Sequence, residues 1–245
     1  MAKQARTNGK QHIPFTVAAE IFAQFPGYVR GVVIMEGLSN GPSSEELVEL
    51  LRGAEESLRA QLTMEGLPEH PRIASWREAY RSFGAKPTKF RPSIEAMARR
   101  VLKNDKLPSI NAVVDIGNIV SLRHILPAGG HAMDAVTHEI RLRLATGQEE
   151  FIPLDSEQVE HPLPGEVIFA EGNTVLTRRW TWRQGKHTLV VPETTAVEVN
   201  IDGLPPVPTS EIEEACREVM SVIETFCGGS GRYEILSEAS PTIML

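Results

Sequence analysis

Three histidines, His124, His131 and His138, recur seven residues apart, with Asp134 between the last two. Imidazoles and a carboxylate can ligate zinc, but a loop and a helix end separate these residues and the interval matches no known ligand pattern. No metal and no other cofactor is expected. His131 follows Gly129 and Gly130, and paired glycines let backbone N–H groups approach a ligand. An imidazole titrating near neutrality could orient or deprotonate a water there. The alternative is an exposed loop histidine. Asn111, Asp115 and Asn118 stand at i, i+4 and i+7, a polar stripe on an otherwise apolar helix. The stripe either lines a pocket or caps nearby loops from a buried position. Glu198 lies in a β-rich run. Pointing inward it needs a cation or a donor, and a substrate ammonium would serve; pointing outward it is a surface glutamate. No Gly-x-Ser-x-Gly elbow occurs, and neither Cys216 nor Cys227 has a convincing histidine partner in the sequence, so no covalent nucleophile is expected.

A second chemistry is written in charge. Between Pro71 and Lys106 ten basic residues, among them Arg77, Lys86, Lys89 and Arg91, face Glu78, Glu95 and Asp105, a net of +7 in a chain whose net charge is −7. Arg178, Arg179, Arg183, Lys186 and His187 form a second cluster, interleaved with Trp180 and Trp182. Guanidiniums beside aromatic rings suit phosphates and unstacked bases. The plainer alternative is a solvated helix face plus tryptophans that belong to the core.

The elements that must position these groups follow from periodicity. Tyr28–Met35 reads as a buried strand. Ser43 with Glu46 has capping-box spacing, and behind it Leu47, Leu50, Leu51, Ala54, Leu58 and Leu62 recur at helical intervals. A second helix is expected over Ile73–Phe83, a third beginning at Ser93, and a fourth from Ser109 to about Arg123, ended by Pro127-Ala128-Gly129-Gly130. From His138 the pattern changes. Strands are expected at Ile140–Leu144, Glu150–Ile152, Glu166–Ala170, Thr174–Arg183, Thr188–Val191 and Ala196–Ile201, and Ser210 with Glu213 opens a last helix. Helices, then strands, then a helix give an α+β class: an antiparallel or mixed sheet, or a small barrel, flanked by helices.

With 245 residues and 41% hydrophobic content the chain can close a core, which excludes a disordered protein. Residues 1–12 carry Lys3, Arg6 and Lys10 without a signal-peptide core, so they read as a mobile tail before one domain over 13–245. No apolar run approaches the ~20 residues of a membrane span. Two cysteines are too few for a disulfide scaffold, and a reducing cytoplasm is the simplest setting.

The segment Leu107-Pro108-Ser109-Ile110-Asn111-Ala112-Val113-Val114-Asp115-Ile116-Gly117-Asn118, followed by Gly129-Gly130-His131-Ala132-Met133-Asp134, resembles the B3/B4 editing domain of the bacterial phenylalanyl-tRNA synthetase beta subunit. Phe83–Pro87, Arg91–Ala96 and Arg178–Gln184 look like free-standing proteins built around that domain. In the synthetase this domain hydrolyses tyrosine wrongly esterified to the phenylalanine tRNA. The resemblance implies that His131 matches the editing-site histidine and Glu198 the acidic residue that reads the amino acid. Gly129, Gly130, Asn118 and Asp134 would then line the substrate site, while Arg77, Lys86, Lys89, Arg91, Arg179 and Arg183 would hold RNA phosphates. The chain departs from the pattern twice. Pro108 stands where the family has Arg, and Arg178–Gln184 replaces a Gly-rich strand of the pocket wall, so tyrosine specificity does not transfer. No ATP-binding motif is present, and ligase activity is not expected. The implied function is hydrolysis of mischarged aminoacyl-tRNA in trans. The alternatives are a non-catalytic RNA- or tRNA-binding module and a binder of an amino-acid-type small molecule. The expected partner is the acceptor end of a charged tRNA, with no role for DNA or membrane.

Overall fold

The computed structural model describes residues 13–245; the expected tail lies outside them. In chain order the elements are β1 (Pro14–Val17), α1 (Ala19–Gln24), β2 (Val29–Glu36), α2 (Glu45–Gln61), α3 (Pro71–Ser82), α4 (Ser93–Leu102), α5 (Ala112–His124), β3 (Ala128–Ala132), β4 (Ile140–Leu144), β5 (Val167–Glu171), β6 (Thr174–Arg178), β7 (Arg183–Gln184), β8 (Ala196–Gly203), α6 (Thr209–Cys227), β9 (Ser230–Leu236) and β10 (Thr242–Met244). The strands form two open sheets, a six-stranded one in the order β10-β1-β4-β5-β6-β7 and a four-stranded one in the order β3-β8-β2-β9. The four-stranded sheet is antiparallel throughout, and β1 with β4 is the parallel pair of the larger sheet. The α+β class therefore holds, with a mixed sheet and an antiparallel one in place of a closed barrel.

Alternation along β2 explains the layering. Val33 and Met35 point to a core shared with Leu47, Leu51 and Leu58 of α2, Ile116 and Ile119 of α5, and Ile212, Val219 and Ile223 of α6. Val32 and Ile34 point the other way, against Phe15, Leu142, Phe169 and Leu176 of the larger sheet and Trp76 and Tyr80 of α3. One strand thus supplies both cores, and the chain stacks as helices, small sheet, large sheet. α5 is apolar on most sides because α2, α4 and α6 all pack on it. A small third cluster of Ala145, Phe151, Ile168, Ala170 and Val175 packs apart from the other two.

Helix boundaries moved where side chains found longer-range partners. Ser44, not Ser43, caps α2 through Leu47 N–H, while the Ser43 hydroxyl donates to Asp115 at 2.6 Å. Asn111 caps α5 through Val114 N–H. Neither Ser93 nor Ser210 caps a helix; α4 and α6 follow Pro92 and Pro208. Ile125, at φ 53°, ends α5 in the left-handed region. Gly129 and Gly130 do not break the chain but form β3 against β8. The expected strand Thr174–Arg183 is split by a tight loop in which Arg179 and Trp180 have φ of 46° and 64°. Thr188–Val191 is irregular, and Glu150–Ile152 contributes only isolated bridges.

Gly31 of β2 lies under α6, where a Cβ would overlap Cys216 Sγ and meet Ile212 Cγ2 at 2.8 Å. Gly53 sits on the open face of α2 with nothing within 4 Å of such an atom. The two sites predict opposite signs. Gly31→Ala should lower unfolding free energy by ~1–3 kcal/mol through overpacking, and Gly53→Ala should raise it by up to ~1 kcal/mol through helix propensity, both read as urea midpoints.

Candidate functional site

The inner face of the small sheet carries the polar groups. Cross-strand register places Arg30 opposite Asp202, Ile34 opposite Glu198 and His131 opposite Glu198, so Arg30, His131, Glu198, Asn200 and Asp202 share one face. Arg30 is 1% exposed in an otherwise apolar strand. Its Nε donates to Asp202 Oδ1 at 2.7 Å and its Nη2 to Oδ2 at 3.0 Å, a bidentate pair that Tyr28 O–H joins by donating to Oδ1. The guanidinium carbon lies 4.9 Å from the centre of the Phe169 ring, between the sheets. Trp180 packs edge-on against Tyr28, Phe25 and Trp76, with ring centres 4.6–5.0 Å apart. Its N–H to Val167 carbonyl bond of 2.8 Å anchors the left-handed loop to β5.

Beside this network lies a cavity of about 130 Å³, lined by Arg30, Gly129, His131, Phe169, Thr177 and Trp180, with Gln184, Asn200 and Asp202 also in its wall and Ser93, Trp182 and Arg183 among its further lining residues. His131 is 3% exposed and held on every side. Its Nδ1 lies 2.6 Å from Thr188 Oγ1 and its Nε2 3.3 Å from Thr177 Oγ1. Gln184 Nε2 donates to the Gly130 and Thr188 carbonyls at 2.9 and 3.1 Å, which fixes the amide; the same nitrogen faces His131 Nδ1 at 3.4 Å. Both amide hydrogens of Gln184 go to those carbonyls, so the ring's own partners are the two threonine hydroxyls, and whichever nitrogen carries the proton has an oxygen to donate to.

Burial, then the nearby Arg30 charge, pushes the His131 pKa down to about 3. The expectation of an imidazole titrating near neutrality is thereby corrected: His131 is a buried strand residue whose environment favours the neutral ring, not a loop histidine poised as a base. Glu198 does point inward and is fully buried. Burial pushes its pKa up to about 8, against the pull of Arg30 and of Asn200, which donates to Oε2 at 3.3 Å. The shift favours the protonated acid at neutral pH, and Oε1 has no hydrogen-bond partner among the described residues.

The other expected site residues divide. Gly129 lines the cavity and Gly130 precedes His131 on the same strand. Asn118 is half-buried on α5 and does not reach the cavity. Asp134 lies in the turn after β3, outside the cavity lining, where it accepts from Thr195 N–H and hydroxyl and from Ala196 N–H; although burial raises its pKa, these bonds outweigh it and the net shift is downward. Asn111 and Asp115 are structural: Asn111 Nδ2 donates to the Val190 carbonyl, and Asp115 accepts from Ser43, Ser109 and Ile110 N–H.

Among the cations, Arg77 is engaged by buried Glu95 at 2.7 Å. Arg179 is sandwiched with its guanidinium carbon 3.7 Å from the Phe90 ring centre and 4.5 Å from that of Trp182, and is not free on the surface. Arg183 lines the cavity but is paired with Asp155. Lys86 and Lys89 are exposed and Arg91 is half-buried, none with an ion-pair partner among the described residues. Trp180 is core, as one alternative held, while Trp182 is half-buried in the cavity wall. Among the described residues no histidine, cysteine and carboxylate cluster could hold a metal ion. Arg30, Tyr28 and Asp202 were not among the expected site residues. Their signal was a lone arginine inside the apolar run Tyr28–Met35, which demands a buried carboxylate from a neighbouring strand.

The opposed shifts predict a pH signature. Glu198 binds a proton more tightly folded than unfolded, so its contribution is complete below about pH 4.5 and is lost as pH rises toward 8; His131 does the reverse, losing stability as pH falls from 6.5 toward 3. Between pH 6.5 and 8 the glutamate outlasts His131 and adds to a slope of the same sign from His124, whose pKa the Glu218 hydrogen bond raises. Urea-derived stability of the wild type should fall across that window by up to ~1.4 kcal/mol per unit from Glu198, and Glu198→Gln should abolish that share of the slope.

A family model described as the B3/4 domain matches residues 75–228 of the 245. The match contains His131, Gln184 and Glu198 and excludes Tyr28 and Arg30. No curated protein sequence matches the chain. Among solved structures, an N-terminal fragment of the phenylalanyl-tRNA synthetase beta-subunit from Pyrococcus horikoshii aligns with a TM-score of 0.48 and 13% identity, over 91% of this chain and 51% of that one. The chain thus spans about half the length of that fragment. No helix among the described residues is long and apolar enough to cross a membrane. With the family model covering well over half of its length, the chain belongs to the B3/4 domain family.

Proposed function

We propose that this chain takes the acceptor end of an aminoacyl-tRNA and hydrolyses the ester of a mischarged amino acid. The supporting observation is the small cavity in which neutral His131, held by Gln184, Thr188 and Thr177, lies against a buried guanidinium, with Ser93, Trp182 and Arg183 also in its lining. Membership of the B3/4 family adds to it. In the reaction a water oxygen adds to the ester carbonyl carbon, the bond to the ribose oxygen breaks, and that oxygen leaves with a water proton. An aminoacyl ester is already activated, so orientation and stabilisation of the developing oxyanion can suffice. His131 acts as an Nε2–H donor to water or to the carbonyl oxygen, a role its low pKa permits and for which a protonated ring is not needed. Thr188 and Gln184 are positioning residues that hold the ring and the strand it stands on. Lys86, Lys89 and Arg91, free of ion pairs, are the cations best placed to meet phosphates, whereas Arg77 and Arg179 serve the fold. Residues 13–245 act as one unit, and the two buried free thiols, Cys216 and Cys227, suit a reducing cytoplasm.

The second reading is an amino-acid-type small-molecule binder. It is favoured by the pairing of Arg77 and Arg183 with carboxylates and by the acidic net charge of −7. Two measurements separate them. Incubation with tRNAs charged with cognate and non-cognate amino acids should show selective ester loss, reduced ~100-fold or more by His131→Ala. The slope of log affinity for tRNA against log salt should become shallower by ~1.4 in the Lys89→Ala, Arg91→Ala double variant, at ~0.7 per single-strand phosphate contact. No turnover on any member with salt-sensitive binding intact would leave a non-catalytic RNA-binding module. A flat salt response would leave the small-molecule binder.

A further inference from the structure

The cavity contains more than a device for placing water needs. Arg30 spends Nε and Nη2 on Asp202, and its Nη1 is buried without a partner. On the neighbouring strand Glu198 Oε1 is buried and equally unpartnered. An unmade hydrogen bond at a buried polar atom is costly, more so for a charged group, and Arg30 is the one of the two that lines the cavity, so its Nη1 calls for an occupant that accepts from it.

Size and charge restrict that occupant. A cavity of 150 Å³ is the kind that accommodates benzene, and a water takes ~30 Å³. The present 130 Å³ is smaller than that and favours a side chain of a few heavy atoms over a phenol ring. Arg30 and Asp202 cancel in charge, and the lining Arg183 is paired with Asp155. A carboxylate or ammonium side chain would add an unbalanced buried charge. A wholly apolar one would seal Nη1 from water with nothing to accept from it.

We infer that the amino acid admitted to this cavity carries a small, uncharged, hydrogen-bonding side chain, a hydroxyl or a carboxamide, whose oxygen accepts from Arg30 Nη1. The inference rests on the hydrolase reading and names its substrate class. Arg30 is its specificity-determining residue. Threonine and valine differ by a hydroxyl against a methyl at nearly equal volume, so their esters isolate the hydrogen bond from the size of the cavity.

The test compares kcat/KM for deacylation of tRNAs carrying serine, threonine, asparagine, alanine, valine, aspartate and tyrosine. Threonyl ester should exceed valyl ester by ~100-fold or more, because a site built around a polar contact rejects the analogue lacking it. Tyrosyl and aspartyl esters should be inert. Arg30→Lys keeps a cation for Asp202 but lacks the forked third nitrogen. It should reduce the threonyl-to-valyl ratio at least ~10-fold, whereas a general folding defect would lower both rates and leave the ratio unchanged. Fastest turnover on tyrosyl ester, or a ratio near one, overturns the inference while leaving the hydrolase reading intact. If no ester turns over, the hydrolase reading fails. The inference is then decided by calorimetry with amide-linked threonyl- and valyl-adenosine: tighter threonyl binding by at least ~10-fold supports it, and equal or absent binding of both overturns it.

Discussion

The pairing of Arg30 with Asp202 is the constraint on which the remainder depends. A guanidinium placed between two sheets, away from water, is tolerable only if a carboxylate meets it with both oxygens, and that carboxylate must come from the adjacent strand in one register. A slip of one residue between β2 and β8 would put Arg30 beside an aliphatic neighbour and turn both strands inside out. Tyr28 completes the pair, Trp180 packs on Tyr28, and the strained loop from Arg178 to Trp182 is held in place as a result. The wall that this loop contributes to the cavity thus inherits its position from an ion pair between two strands of the other sheet.

The same burial gives the site an inverted protonation pattern. The usual assignment for a histidine and a glutamate at neutral pH is a partly charged ring and a carboxylate. Here dehydration leaves a ring without a positive charge and an acid without a negative one. Both become directional donors and acceptors rather than sources of field, and the fixed charges near the cavity come in pairs, Arg30 with Asp202 and Arg183 with Asp155, which largely cancel. Such a wall discriminates by the placement of lone pairs and N–H groups, with little long-range attraction for an ion.

Where the sequence was readable, one local rule sufficed. The Leu47–Leu58 repeat, the Ile212–Ile223 face and the apolar run at Val32–Met35 each declared an element that exists, because burial of a periodic face is decided within the segment. Inward Glu198 and buried Trp180 were among the stated options. What stayed hidden depended on partners far along the chain. Gly129-Gly130 looked like a helix terminator, yet β3 forms because β8 offers its edge. Thr188–Val191 alternates like a strand, but its carbonyls are taken by Ala132 N–H, Gln184 and Asn111, leaving no ladder. The basic stretch from Arg72 to Lys106 looked like one continuous cationic surface until Glu95 and Glu211 claimed Arg77, Arg99 and Arg72 from it. Charge counts along a sequence do not reveal which charges the fold consumes.

The pairing of β1 with β10 has a further implication. Leu245 donates its N–H to the Ile13 carbonyl at 2.9 Å, so the two ends of the described chain meet side by side on one sheet edge. A unit with adjoining ends behaves like a bead on a loop. It can be spliced into the surface of a host protein, or rejoined head to tail and reopened at an exposed turn, while its internal strand order is unchanged.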